Sequence, residues 1–155
     1  FGKMMKKETL YLDTSVISAY YDERAKDRRA ATIAFWENVT PNYMVFVSEI
    51  TVNELDATKD ESLKIKFRNL IATMRLLRLN KKVRDLANAY INRGLFPEKY
   101  IDDALHVAIA TYHDISYVVS WNFEHLVKVK TRKTVNLINI LEGYKEIEII
   151  SPQEL

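Results

Sequence analysis

The chain has 155 residues, 48% of them apolar and 28% charged, which is enough for one domain with a real core and no need of disulfides or a structural metal. Its net charge of +2, from 23 basic and 21 acidic residues, is too balanced to make a nucleic-acid binder on charge alone, so any basic patch must come from local clustering. The lack of cysteine excludes thiol catalysis, thiolate zinc sites and disulfide redox chemistry, and suits a reducing cytoplasm.

The opening "FGKMMKK" carries no apolar signal region, and Phe1 to Lys3 precede the first Met and read as a vector remnant, so one domain is expected over 4–155. No apolar run approaches the ~20 residues that a membrane span needs. Leu10, Tyr11 and Leu12 read as a buried strand that stops on Asp13, with Thr14 and Ser15 after it. Two explanations compete for that charge: a cap for the next helix, or a carboxylate waiting for something positive. "AKDRRAATIAFWENV" reads as a helix, "YMVFVS" as a short buried strand and "EITVNELDATK" as a helix again. From Glu61 to Leu77 apolar residues recur at helical spacing, and "LLRL" (Leu76 to Leu79) suits a short strand. Val83, Leu86, Ala87, Tyr90 and Ile91 mark another helix, stopped by Gly94, and a further one is expected after Pro97. "SYVVS" is a strand, "TVNLINILEGY" a last helix stopped near Gly143, and "EIEII" a last strand.

Short apolar strands alternating with helices predict an α/β fold: a three-layer α/β/α architecture with a central parallel sheet. Ligands of such sheets bind outside the carboxyl ends of the strands. Four segments bring oxygen atoms to that edge. Asp13 ends the first strand, Glu54 lies on the helix after the second, Asp102 and Asp103 occupy the first turns of the helix after Pro97, and Ser120, Asn122 and Glu124 follow "SYVVS". Taken singly, each has a plainer use as a cap, a turn residue or a solvated charge. Taken together, converging carboxylates repel unless a divalent cation neutralises them, and oxygen-only ligands favour magnesium or manganese over zinc.

His106, His113 and His125 show no HExxH pattern, and His106 is expected to pack beside the acidic cluster. No Gly-rich phosphate loop and no GxSxG elbow is present. Basic residues cluster at Lys128, Lys130, Arg132 and Lys133 and again around Arg24, either as solvated surface or as phosphate contacts flanking the acidic site. Tyr20, Tyr21, Tyr43, Tyr100 and Trp121 could stack on bases, although core or rim packing is the commoner role.

These residues resemble a PIN domain, in particular the VapC-like ribonuclease toxins of type II toxin–antitoxin systems. "YLDTSVIS" resembles the opening strand–Asp–Thr/Ser motif. "VSEITVNEL" resembles the second motif and puts Glu54, not Glu49, at its acidic position. "DDALHVAIA" resembles the third, Asp-Ala-x-x-x-Ala, and selects Asp103 over Asp102. "SWNFEHL" resembles the fourth, with Asn122 where the family has an acid and Glu124 available as a substitute. The likeness runs from about Thr9 to Leu126. It implies metal-assisted hydrolysis of RNA phosphodiesters, with Asp13, Glu54, Asp103 and Asn122 (Asp102 or Glu124 as further candidates) holding Mg2+ or Mn2+. Thr14 and Ser120 would orient the carboxylates. It also implies a homodimer and a cognate antitoxin. A haloacid dehalogenase-like phosphatase, with Asp13 as nucleophile, and a non-catalytic PIN-like module that binds RNA or protein are the alternatives. The first lacks the second Asp its motif needs, because Ser15 stands there.

Overall fold

A computed structural model describes residues 7–155; the first six, with the expected remnant at Phe1 to Lys3, lie outside the described residues. Strand β1 (Thr9–Leu12) is followed by α1 (Thr14–Ala19) and α2 (Lys26–Asn38), then β2 (Met44–Ser48), α3 (Glu49–Asp56) and α4 (Glu61–Ile71). Next come β3 (Arg75–Leu77), α5 (Lys81–Asn92), α6 (Ile101–Tyr112), β4 (Tyr117–Val119), α7 (Val129–Leu141) and β5 (Glu148–Ile150). The five strands form one sheet in the order β3-β2-β1-β4-β5, and every pairing is parallel. Parallel neighbours need crossovers, and the helices supply them on both faces.

Strand alternation divides the core. Tyr11, Val118 and Ile149 face α5, α6 and α7, packing with Leu86, Tyr90 and Val107. Leu10, Leu12, Val119 and Ile150 face α1, α2 and α4, packing with Val16, Phe35 and Phe67. Each fully buried aliphatic side chain contributes ~1.5–3 kcal/mol. Leu12→Ala would leave a cavity and cost ~2–5 kcal/mol.

Helix starts follow local chemistry. Asp13, Ser48, Asp60 and Asn80 each accept a backbone N–H of the first turn of α1, α3, α4 and α5. Gly94 (φ +81°) and Gly143 (φ +84°) take the left-handed conformation that stops α5 and α7. The short α1 was not separable from sequence, because only six residues follow its cap. The helix after β2 ends at Asp56, short of the expected Lys59, because Asp60 already caps α4. The run from Glu61 breaks at Ile71, and Leu77 belongs instead to β3, which pairs Phe46 with Arg75 and Ser48 with Leu77. The last helix begins at Val129, five residues before Thr134, so the basic segment forms its first turns. Tertiary contacts rather than apolar period set that start: Thr131 Oγ1 donates to the His125 carbonyl at 2.8 Å.

Candidate active site

From β1 the chain moves to one side of the sheet and from β4 to the other, so the carboxyl ends of these adjacent strands flank a crevice at a topological switch point. Asp13 and Ser120 are the residues just beyond those ends. The Asp13 N–H prolongs the ladder to the Val119 carbonyl at 3.2 Å, which aims its side chain along the edge. Asp13 is only 4% exposed. Its Oδ1 accepts from Ser15 Oγ and from the Val16 N–H, and its Oδ2 accepts from Ser120 Oγ. Both hydroxyls are themselves held, Ser15 by the Trp121 N–H at 2.8 Å and Ser120 by the Asn122 N–H at 2.9 Å. Burial pushes the Asp13 carboxyl above its ordinary pKa, against the pull of His106 and of these donors. Asp13 therefore caps α1, as the first explanation has it, and is also a buried acid beside His106.

Glu54 reaches the same crevice from α3. Its Oε1 accepts from Thr14 Oγ1 at 2.7 Å and meets His106 Nε2, from α6, at 2.6 Å. The opposite nitrogen of His106 bonds to the Tyr11 hydroxyl, which reaches Ser48 Oγ at 2.7 Å. Burial pulls the imidazole pKa down, but the Glu54 hydrogen bond and the charges of Asp13, Glu54 and Asp103 outweigh it and raise it above 6.5. Burial would raise Glu54, and the His106 hydrogen bond and charge win, lowering it below its ordinary value. His106 thus lies buried among three acidic side chains that hold its pKa above 6.5.

Asp103 stands on the first turn of α6, and its Oδ2 bonds to His125 Nδ1 at 2.8 Å. That ring packs on Tyr100 with centroids 4.1 Å apart, while the His125 N–H donates to Asn122 Oδ1 at 2.9 Å. Burial raises the Asp103 pKa, with the His125 hydrogen bond opposing.

The structure thus gathers Asp13, Glu54 and Asp103, with Thr14 and Ser120 donating to two of them. Glu49 turns away to the Leu79 N–H at 2.7 Å and to Arg78. Asp102 is exposed on α6, and Glu124, its side chain 86% exposed, lies 3.7 Å from His125 Nε2. Asn122 uses its amide oxygen to cap the turn that presents His125. Of the basic residues, Lys128, Lys130 and Lys133 are exposed, whereas Arg132 reaches the Ile149 carbonyl and Glu154, and Arg24 is paired with Asp22 at 3.0 Å. Sequence reasoning missed Ser15, Tyr11 and His125. A hydroxyl two residues after Asp13 was a usable signal for Ser15; none marked the other two.

As the side chains stand, no group of three or more His, Asp or Glu among the described residues closes on one point tightly enough for an ion. The donor set nonetheless suits a hard divalent cation. Oxygen atoms predominate, and Glu54 Oε2 and Asp103 Oδ1 have no hydrogen-bond partner among the described residues. None of the described helices is long and apolar enough to cross a membrane.

The PIN domain family model matches residues 10–125. No curated protein matches the chain. Among solved structures, Mycobacterium tuberculosis VapC20, described as a sarcin-ricin loop cleaving toxin, is similar with a TM-score of 0.59 at 15% identity, over 89% of this chain and 98% of that one. FitAcB from Neisseria gonorrhoeae gives 0.58 at 16%, over 94% and 99%. VapBC-1 from nontypeable Haemophilus influenzae gives 0.57 at 15%, over 94% and 98%.

Proposed function

The chain belongs to the PIN domain family, and on that premise we propose that it is a divalent-metal-dependent endoribonuclease, the toxin of a type II toxin–antitoxin pair. The observation that carries this reading is the convergence of Asp13, Glu54 and Asp103 around the buried ring of His106 at the switch point of the sheet. A buried acidic cluster of that kind is arranged for positive charge.

Asp13, Glu54 and Asp103 would hold Mg2+ or Mn2+, with Asn122 contributing through the loop it caps. The bound ion would supply Lewis-acid activation of water and shielding of the phosphate's developing charge. The chain's own part is orientation. Ser15 and Ser120 fix both oxygens of Asp13, Thr14 fixes one oxygen of Glu54, and His125 fixes one of Asp103. Glu54 Oε2 and Asp103 Oδ1 have no donor among the described residues, and Asp13 Oδ2, with its one donor, keeps a lone pair that can serve an ion. No side-chain nucleophile is needed, and Ser15, standing two residues after Asp13 and bonded to it, argues against an aspartyl-phosphate enzyme.

Lys128, Lys130 and Lys133 start α7 at the same edge of the sheet and are suited to phosphate contacts. An antitoxin partner is supported by the VapBC complex among the similar folds. Pairing of two copies is supported by Leu137, Ile140 and Leu141, exposed large apolar residues at the end of α7. A PIN-like module that binds without cleaving is the second reading, favoured by the engagement of Asn122 with His125. Incubating the pure protein with single-stranded RNA, with and without Mn2+, separates them. Metal-dependent cleavage lost in Asp13→Asn is the expected result, and uncleaved RNA under all conditions would leave the binding module standing.

A further inference from the structure

A cleft of about 660 Å³ is walled by the end of α1, the segment leading into α2, the α3–α4 connection and the first turns of α4. Helical geometry puts it next to the carboxylates. Ser18, in its wall, stands one turn beyond Thr14 on the same face of α1, and Thr58, also in the wall, lies in the turn just past the end of α3, the helix that carries Glu54. A turn advances ~5 Å, so the cleft opens about that far from the Thr14–Glu54 hydrogen bond.

Its chemistry is specific. The half-buried ring of Tyr21 leans on Phe67, with centroids 6.0 Å apart, and on Tyr20, 4.9 Å away, and Lys66 Nζ lies over it, 5.7 Å from its centre. Arg29 is anchored by its Nε to the Tyr20 carbonyl at 3.0 Å, which leaves both terminal amino groups without a partner among the described residues. Lys66 makes no ion pair among the described residues either. Two acids of the wall are otherwise engaged, Asp22 with Arg24 and Asp60 with the Leu63 N–H that it caps. Glu23, the remaining one, is exposed. An aromatic ring with one cation over it and a second in the same wall, neither held by a carboxylate among the described residues, is a combination that can stack a base and hold its phosphate.

We infer that this cleft seats the nucleotide next to the scissile phosphate of single-stranded RNA, with its base on Tyr21 and its phosphate against Lys66 and Arg29. The inference rests on the ribonuclease reading for the word scissile, and on the cleft alone for the nucleotide. Paired RNA keeps its bases stacked within the helix, so a duplex cannot fill the site.

Fluorescence anisotropy of a labelled hexaribonucleotide in EDTA reads the cleft apart from catalysis. Tyr21→Ala should weaken binding about tenfold, while Tyr21→Phe, which keeps the ring, should bind as the parent does. Lys66→Gln, an exposed change that leaves folding alone, should weaken binding and lower the salt slope by about 0.7. A duplex of equal length should bind parent and Tyr21→Ala alike. Unchanged affinity in both Tyr21→Ala and Lys66→Gln, or no binding by the parent, would overturn the cleft. If the parent still cleaves RNA with Mn2+ in that case, the ribonuclease reading survives it. Conversely, binding lost in both variants without any cleavage by the parent would keep the nucleotide site and sink the ribonuclease.

Discussion

Asp13 and Asp103 meet at one crevice, yet their carboxylates are held by different chemistry. Asp13 is almost wholly buried, and serine hydroxyls and a backbone N–H hold its two oxygens. Asp103 is half-buried and held through one oxygen by the ring of His125, as Glu54 is by His106. Hydroxyl donors keep the same charge at every working pH, whereas the His106 ring on Glu54 is a titratable group whose pKa burial lowers and the Glu54 hydrogen bond and nearby carboxylates raise further, above 6.5. The Asp13 side of the site is therefore fixed, and the Glu54 side is adjustable by protons.

The hardest blow to this contrast falls on the fixed side. Asp13→Asn should lower RNA cleavage by more than ~100-fold, beyond the loss expected for an outer hydrogen-bond partner. Its melting temperature in EDTA should hold, because Asn caps a helix about as well as Asp and the change removes a costly buried charge. Cleavage within tenfold of the parent would remove Asp13 from the site. Next come the supports. Ser120→Ala and His125→Ala should each weaken Mn2+ binding, read by calorimetry, by about 10–100-fold. Ser120→Ala should also cost ~1–3 kcal/mol of stability, since a buried carboxylate oxygen loses its donor. Mn2+ affinity unchanged in both variants would remove these two side chains from the support of the site.

The adjustable side predicts a pH effect on folding. His106 has a folded pKa above its unfolded value, so its contribution to stability is complete below pH ~6.5 and is lost as pH rises through the folded pKa. Asp13 and Asp103, also raised, act in the same sense, their contribution present in acid and lost as pH rises through their own folded values. In EDTA, the unfolding free energy from urea titrations should therefore fall as pH rises above ~6.5, with a slope of at most ~1.4 kcal/mol per pH unit from His106, and the fall should flatten in His106→Gln. A parallel fall in that variant would assign the effect elsewhere. Outside the crevice, changing Lys128, Lys130 and Lys133 to Gln should reduce the salt slope of RNA binding by about 0.7 for each phosphate that a lysine no longer neutralises. The smallest effect is expected at the exposed Glu124, where Glu124→Gln should leave Mn2+ affinity within about twofold of the parent.

Much of this was legible because short-range grammar carried it. An apolar triplet ending on Asp13 and the glycines at 94 and 143 are signals read within a few residues. They yielded the layers, the parallel sheet and three separate carboxylates. The choice of Glu54 over Glu49 and of Asp103 over Asp102 needed the resemblance, and the structure turns the rejected pair towards Leu79 and towards solvent. His125 was illegible for a physical reason. Its partner lies 22 residues away on another element, and only the turn capped by Asn122 brings the two together. Tyr11 looked like any apolar strand residue, because its alternation reveals the buried face and not the hydroxyl's destination.

The chain Ser48–Tyr11–His106–Glu54 has a direction, and that direction depends on the charge of one ring. When His106 is neutral, its Nε2–H donates to Glu54, so its bare Nδ1 must accept the Tyr11 hydroxyl proton, and Ser48 in turn can donate to Tyr11. When His106 is charged, Nδ1–H donates to Tyr11, and the Tyr11 hydroxyl must rotate to donate to Ser48 instead. A proton gained in the crevice thus reverses the polarity of a buried wire that ends on Ser48, whose oxygen also receives the Ile50 N–H at the start of α3. Glu54 rides on that same helix, so the protonation of His106 meets the carboxylate by two routes, one through space and one through the strand.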